Sequence, residues 1–223
     1  MIEPIPKRYA SIGDTTYDLS PQPTVEQNQK RTCRSTTWGL GLISLLGWGF
    51  LSVSPYADGP PPGHTGGFGE PTCQHCHFDA PLNDLNGQLH LEGVPPVYTK
   101  GQTYTLKVIL NRIGMERGGF QLAARFESGT YAGLQAGRLH PGNKQVTLTR
   151  STDPSNQISY AHHTLSGTSL AASDTALWLV NWTPTDSTLS PVTFHVTANA
   201  ANGDDSEFGD FIYTLQAASQ PSK

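Results

Sequence analysis

From residue 98 onward, apolar and polar residues alternate in short runs, the period of strands that bury one face. Residues 103–110 (TYTLKVIL) and 119–126 (GFQLAARF) show it, as do 145–149, 157–160, 176–182 (ALWLVNW), 192–198 (VTFHVTA) and 211–215. Turn-forming clusters separate them: Arg117-Gly118-Gly119, Asp153-Pro154-Ser155-Asn156, Thr183-Pro184-Thr185-Asp186 and Asn202-Gly203-Asp204-Asp205. Seven short strands with turn signals between them predict an all-β sandwich over residues 98–216, with 217–223 as a C-terminal tail. Trp178 and Trp182 stand four apart, on one face of a strand, and are expected in its core. No internal repeat is present.

The earlier part of the chain has a different texture. Residues 1–37 are polar and dotted with proline, without helical or strand period, and predict a flexible tail. Residues 38–56 (WGLGLISLLGWGFLSVSPY) carry no charge. As a helix this run would span about 28 Å, close to the hydrocarbon core of a bilayer. Lys30, Arg31 and Arg34 precede it, which puts the tail in the cytoplasm and the rest of the chain outside, with Trp38 and Tyr56 as interfacial aromatics. The expectation is a single transmembrane anchor over 38–57. A cleaved signal peptide is the rival. Cutting after Ala57 would place Pro55 at −3, and cutting after Ser54 would leave Pro55 at +1, and neither suits that reading. Residues 58–97 begin with Pro/Gly punctuation (DGPPPGHTGGFGE) and are expected to act as a linker that delivers the chain to one motif.

That motif is Cys73-Gln74-His75-Cys76-His77. Two thiols three positions apart, with a histidine directly after the second, have the spacing of c-type haem attachment. The thiols add to the two vinyl groups of one haem c, and His77 is the expected proximal iron ligand. A thioredoxin-like pair would want a βαβ context, and a structural zinc would want a second Cys/His pair, which the sequence lacks. A bare disulfide is the remaining alternative. The third cysteine, Cys33, lies upstream and alone.

The net charge of −4 and pI near 6.0 argue against a nucleic-acid partner. From Asp58 onward nine Lys/Arg face fourteen Asp/Glu, a mildly acidic body suited to a basic redox partner. Residues 204–210 hold four acids, and oxygen-rich loops can bind calcium, but the spacing is not that of the EF-hand and acidic turns are common without metal. No nucleophile elbow, phosphate loop or paired-carboxylate motif is present, so an enzyme is not expected.

Candidates for the sixth iron ligand are Met115, in a glycine-flanked segment between two strands, and the histidines outside the motif. Of these, His64 and His90 lie in linker-like text, His140 lies between strands, and His195 sits among apolar strand residues. His162 and His163 form a pair at a strand end, and adjacent strand residues point to opposite faces, so at most one of them faces a haem. A vacant position is the further alternative.

Several short stretches, taken in order, resemble one family. They are the C-x-x-C-H motif, Tyr98 to Tyr104 (YTKGQTY), Gly118-Gly119-Phe120-Gln121-Leu122, His163-Thr164, Asn181-Trp182-Thr183-Pro184, and Asn199 to Asp204 (NAANGD), closing on Gly209-Asp210. Together they resemble the reelin N-terminal (reeler-like) domain in its bacterial haem-motif, choice-of-anchor form, over about two-thirds of the chain. The resemblance implies an immunoglobulin-like sandwich in an extracytoplasmic protein, and it matches the family's His-Thr step to His163 as distal ligand. The long polar leader departs from that pattern. The expected function is a membrane-anchored monohaem cytochrome of the bacterial inner membrane, exchanging electrons in the periplasm with a membrane redox complex or a soluble carrier. The alternative is an accessory subunit whose sandwich mediates assembly, with the haem structural or absent.

Overall fold

A computed structural model describes residues 9–12, 15–18, 56–185 and 190–223. The chain divides into two units, Met1–Gly49 and Phe50–Lys223. In the first, strands β1 (Tyr9–Ile12) and β2 (Thr15–Asp18) pair antiparallel. This pairing lies within the segment 1–37 that the sequence predicts as a flexible tail. The signal was present: two tyrosine- and β-branched stretches flank Gly13-Asp14, a hairpin dipeptide. The apolar run 38–55, and with it the predicted membrane span, lies outside the described residues. Tyr56 and Ala57, its last two positions, form a turn. Among the described residues no helix is long and apolar enough to cross a membrane.

The second unit is built from two sheets. Strands β3 (Gly87–Glu92), β5 (Tyr104–Arg112), β10 (Thr175–Thr183) and β7 (Arg138–Pro141) form one, in the order β3-β5-β10-β7. The other runs β4-β12-β11-β6-β9-β8, from β4 (Val97–Tyr98), β12 (Phe211–Pro221), β11 (Val192–Ala201), β6 (Arg117–Phe126), β9 (Ser159–His163) and β8 (Val146–Arg150). All pairings are antiparallel except β4 on β12.

The seven strands read from alternation are all present. Three more were not anticipated. β3 falls inside the supposed linker 58–97, although its Leu89 and Leu91 alternate with polar residues and Leu89 is buried. β4 and β7 are two and four residues long, too short to show a period. The tail 217–223 is also corrected: β12 continues to Pro221, because Ala217 and Ser219 pair with Phe194 and Val192.

The sheets face one another across a single apolar layer. Leu106, Val108 and Leu110 of β5 and Trp178, Val180 and Trp182 of β10 point inward from one side. Phe120 and Leu122 of β6 and Phe194 and Val196 of β11 meet them from the other. Phe120 stacks on Trp178 at 4.7 Å between centroids, and Trp182 meets Phe194 edge-on at 4.9 Å. Both tryptophans are fully buried, and their indole N–H groups donate to Gly167 O and Ala136 O at 2.8 Å. Each large apolar side chain removed from water here contributes about 1.5–3 kcal/mol.

The opposite face of the six-stranded sheet is also covered. Nine of the ten β6 residues are buried, the polar Gln121 and Arg125 among them. The cover is the supposed linker. Gln121 donates to Pro61 O at 2.9 Å and accepts from His64 N at 2.6 Å. Arg125 pairs with Glu70, whose other oxygen accepts from the Thr65 hydroxyl at 2.5 Å. Residues 58–72 thus run over the sheet, held by polar groups rather than by an apolar stripe, and they set where the cysteine motif begins.

Candidate functional site

Thr72 ends the covering segment and starts the motif. Its hydroxyl accepts from Gln74 N at 3.1 Å, and a one-turn 3-10 helix follows over Cys73–His75. Cys76 N and His77 N both donate to Cys73 O, at 3.2 and 3.0 Å. With three residues per turn, positions i and i+3 lie above one another, so the two thiols share one side of the turn. They are not joined in a disulfide. Burial pushes the Cys73 thiol up to about 12, and Cys76 beside it adds to the shift. It is therefore a neutral thiol at physiological pH, not a reactive thiolate.

Both cysteines line a cavity of ≈ 470 Å³, within the range of small-molecule sites. His77 and His163 line it as well, together with Gly119 and Asn199. Elements distant in sequence are gathered here: the motif turn, β6, the end of β9, β11 and the loop before β12.

His77 is oriented by a buried carboxylate. Its Nδ1 lies 2.8 Å from Asp210 Oδ2, and Asp210 is 1% exposed. A carboxylate oxygen accepts, so Nδ1 is the donor in this contact and Nε2 is the ring nitrogen that Asp210 leaves unengaged. Asp210 is fixed in turn, accepting from Asn199 Nδ2 at 2.9 Å and from Asn202 N at 3.1 Å.

His163 sits at the last position of β9, where Phe120 N donates to its Nδ1 at 3.0 Å. Phe120 O lies 3.4 Å from the same nitrogen. Proton transfer from Nε2 to Nδ1 would exchange the first contact for the second and free Nε2 to bind a metal. Burial lowers its pKa to about 4, with His162 adding to the shift against the Phe120 contact, so the ring is neutral at physiological pH. Neutral imidazole is the form that ligates.

The rival candidates lie elsewhere. His162 donates its Nδ1 proton to His163 O at 2.8 Å and packs where a Cβ on Gly59 would fall 2.0 Å from that nitrogen. Met115 is in the apolar core. His64 is part of the covering segment, His90 and His140 are on β3 and β7, and His195 is on β11 with its ring edge-on to Phe68. None of these lines the cavity.

The acids of 204–210 do not converge. Asp205 pairs with Arg117 at 2.7 Å, Asp204 accepts from Asn202 and Ser206, and Asp210 faces His77. Among the described residues no group of three or more His, Cys, Asp or Glu could hold a bare metal ion.

Three features fit a haem. Two thiols and two imidazoles border one cavity. Asn199 Oδ1 is buried there without a hydrogen-bond partner. Gly119 leaves open a place where a Cβ would stand 2.8 Å from His163 Cε1. The roles of Asp210, Asn199 and Gly119 were not read from the sequence. All three fall within the stretches that resemble the reeler-like pattern, but that position alone says nothing of which side chain each one meets.

No protein-family model matches the chain, and no curated protein matches it by sequence. Solved structures give a likeness of fold at low identity. AvmM, which catalyses macrocyclization in alchivemycin A biosynthesis, is 17% identical over 64% of this chain and 91% of its own, with a TM-score of 0.40. The reeler domain of human F-spondin is 14% identical over 63% of this chain and 95% of its own, with a TM-score of 0.37. A cohesin module from Clostridium perfringens is 12% identical over 61% and 96%, with a TM-score of 0.39. Reeler domains are thus among the solved structures to which the chain is similar.

Proposed function

We propose that the chain is a monohaem c-type cytochrome of the reeler-like, haem-motif kind, anchored in the bacterial inner membrane by residues 38–57 and exchanging electrons in the periplasm with a membrane redox complex or soluble carrier. The observation that carries this reading is the shared cavity: Cys73, Cys76, His77 and His163 border it together, although His163 is 86 positions after His77 in the chain.

In this reading Cys73 and Cys76 would hold the haem through thioethers, and His77 and His163 would bind its iron through Nε2. When bound, the haem supplies one-electron exchange at its iron. The protein's own part is to hold the imidazoles, exclude water and set the charge around them. Asp210 keeps the Nδ1 proton of His77 in place, burial keeps His163 neutral, and Gly119 leaves room for its ring. A bis-histidine pair lacks the thioether that raises the potential of Met/His cytochromes, so a comparatively low potential follows.

Haem staining of a denaturing gel tests this, because only covalently held haem survives denaturation. A coloured band is expected from cells that mature c-type cytochromes, and its loss in Cys73→Ser/Cys76→Ser. A colourless wild-type band would overturn the reading in favour of an accessory subunit.

A further inference from the structure

The contact between His77 and Asp210 goes beyond orienting a ring. We propose that Asp210, with Asn199 behind it, is a positioning pair that sets how strongly His77 binds the iron: Asp210 strengthens the bond and Asn199 tempers it. This rests on the cytochrome reading above.

Three observations carry it. The acceptor is a carboxylate and is buried, so its contact with Nδ1 at 2.8 Å is charge-assisted and poorly screened. A metal-bound histidine whose second nitrogen donates to a carboxylate becomes a more basic ligand. The oxygen that meets His77 also accepts from Asn199 Nδ2 at 2.9 Å, and that nitrogen lies 3.4 Å from His77 Nδ1, so two neighbouring donors share Asp210 Oδ2 and its negative charge. The other oxygen is held by Asn202 N at 3.1 Å, which keeps the carboxylate from rotating away.

The chemistry follows from charge. As Asp210 draws the Nδ1 proton toward itself, the imidazole gains anionic character and stabilises the oxidised iron over the reduced. Asn199 takes part of the same oxygen's capacity and so weakens that pull. The two residues therefore act with opposite sign, which a simply structural role would not produce.

The test uses full-length, haem-loaded protein. Potentials are measured in the wild-type background. The iron–histidine stretch is measured by resonance Raman in a His163→Ala background, where reduced iron keeps His77 as its one protein ligand. Asp210→Asn keeps the shape and removes the charge. It should lower the stretching frequency and raise the potential by about 59 mV, the equivalent of about a tenfold change in the oxidised-to-reduced ratio. Asn199→Ala should raise the stretching frequency and lower the potential.

If both variants move the band the same way, or neither moves it, the proposal is overturned while the cytochrome reading stands. A wild-type chain without covalent haem overturns that reading instead. If Asp210→Asn yields no holoprotein, Asn199→Ala decides alone: a raised frequency supports the proposal and an unchanged or lowered one overturns it.

Discussion

Replacing Glu70 tests whether the covering segment 58–72 is part of the folded unit or merely lies on it. Its carboxylate is 13% exposed and pairs with Arg125, which is 6% exposed. One oxygen also accepts from the Tyr160 hydroxyl at 2.5 Å, and the other accepts from the Thr65 hydroxyl at 2.5 Å. Without Glu70, Arg125 would keep only the neutral Tyr160 hydroxyl, to which it donates at 2.7 Å, and its buried Nε already lacks a partner. Removing one partner of a buried pair leaves an uncompensated charge and costs about 3–5 kcal/mol, whereas an exposed pair is worth about 0–1. Glu70→Ala should therefore cost about 3–5 kcal/mol in urea unfolding, seen as a lower midpoint at nearly unchanged slope. Glu70→Leu with Arg125→Met should cost much less than Glu70→Ala, because apolar groups of similar volume can replace a buried pair at little cost. A loss below about 1 kcal/mol in Glu70→Ala would refute the buried-pair reasoning and leave the segment only loosely held.

Gly119→Ala should push the His163 ring aside, since its Cβ would fall 2.8 Å from His163 Cε1. An overpacking cost of about 1–3 kcal/mol is expected in urea unfolding, and the holoprotein spectrum should gain high-spin character. In the haem-free Cys73→Ser/Cys76→Ser chain, His163 makes stability fall as pH is lowered. Its folded pKa of about 4 is below the ordinary 6.5, so between those values the unfolded chain binds the proton better; above pH 6.5 the contribution is flat. The whole effect is ~3 kcal/mol and should appear as the difference in pH dependence between this chain and the same chain carrying His163→Ala, measured by denaturant unfolding across pH 4–7.

Much of the fold was legible because strands such as β5 and β10 alternate strictly. Leu106, Val108 and Leu110 face the core while Thr105 and Lys107 do not, and the period is plain. What escaped has physical causes. Segment 58–72 looks like a linker because it is rich in Pro and Gly, yet it docks through buried polar pairs, Gln121 with His64 and Arg125 with Glu70, which carry no hydrophobic period. The thiols and His77 of the candidate site were readable from local spacing. The Asp210 contact was not, since it joins residues 133 positions apart in the chain and its loop read as an ordinary acidic turn. Nor did alternation assign His163 over His162, because the choice depends on how β9 ends beside Phe120.

The most direct test of the account is the intact mass of the purified chain matured in a cytochrome c-producing host, followed by peptide mapping. The account predicts a protein heavier by one haem, with the addition confined to the peptide carrying Cys73 and Cys76 and neither thiol open to alkylation. A chain of unmodified mass, with both cysteines alkylated in full, would contradict it.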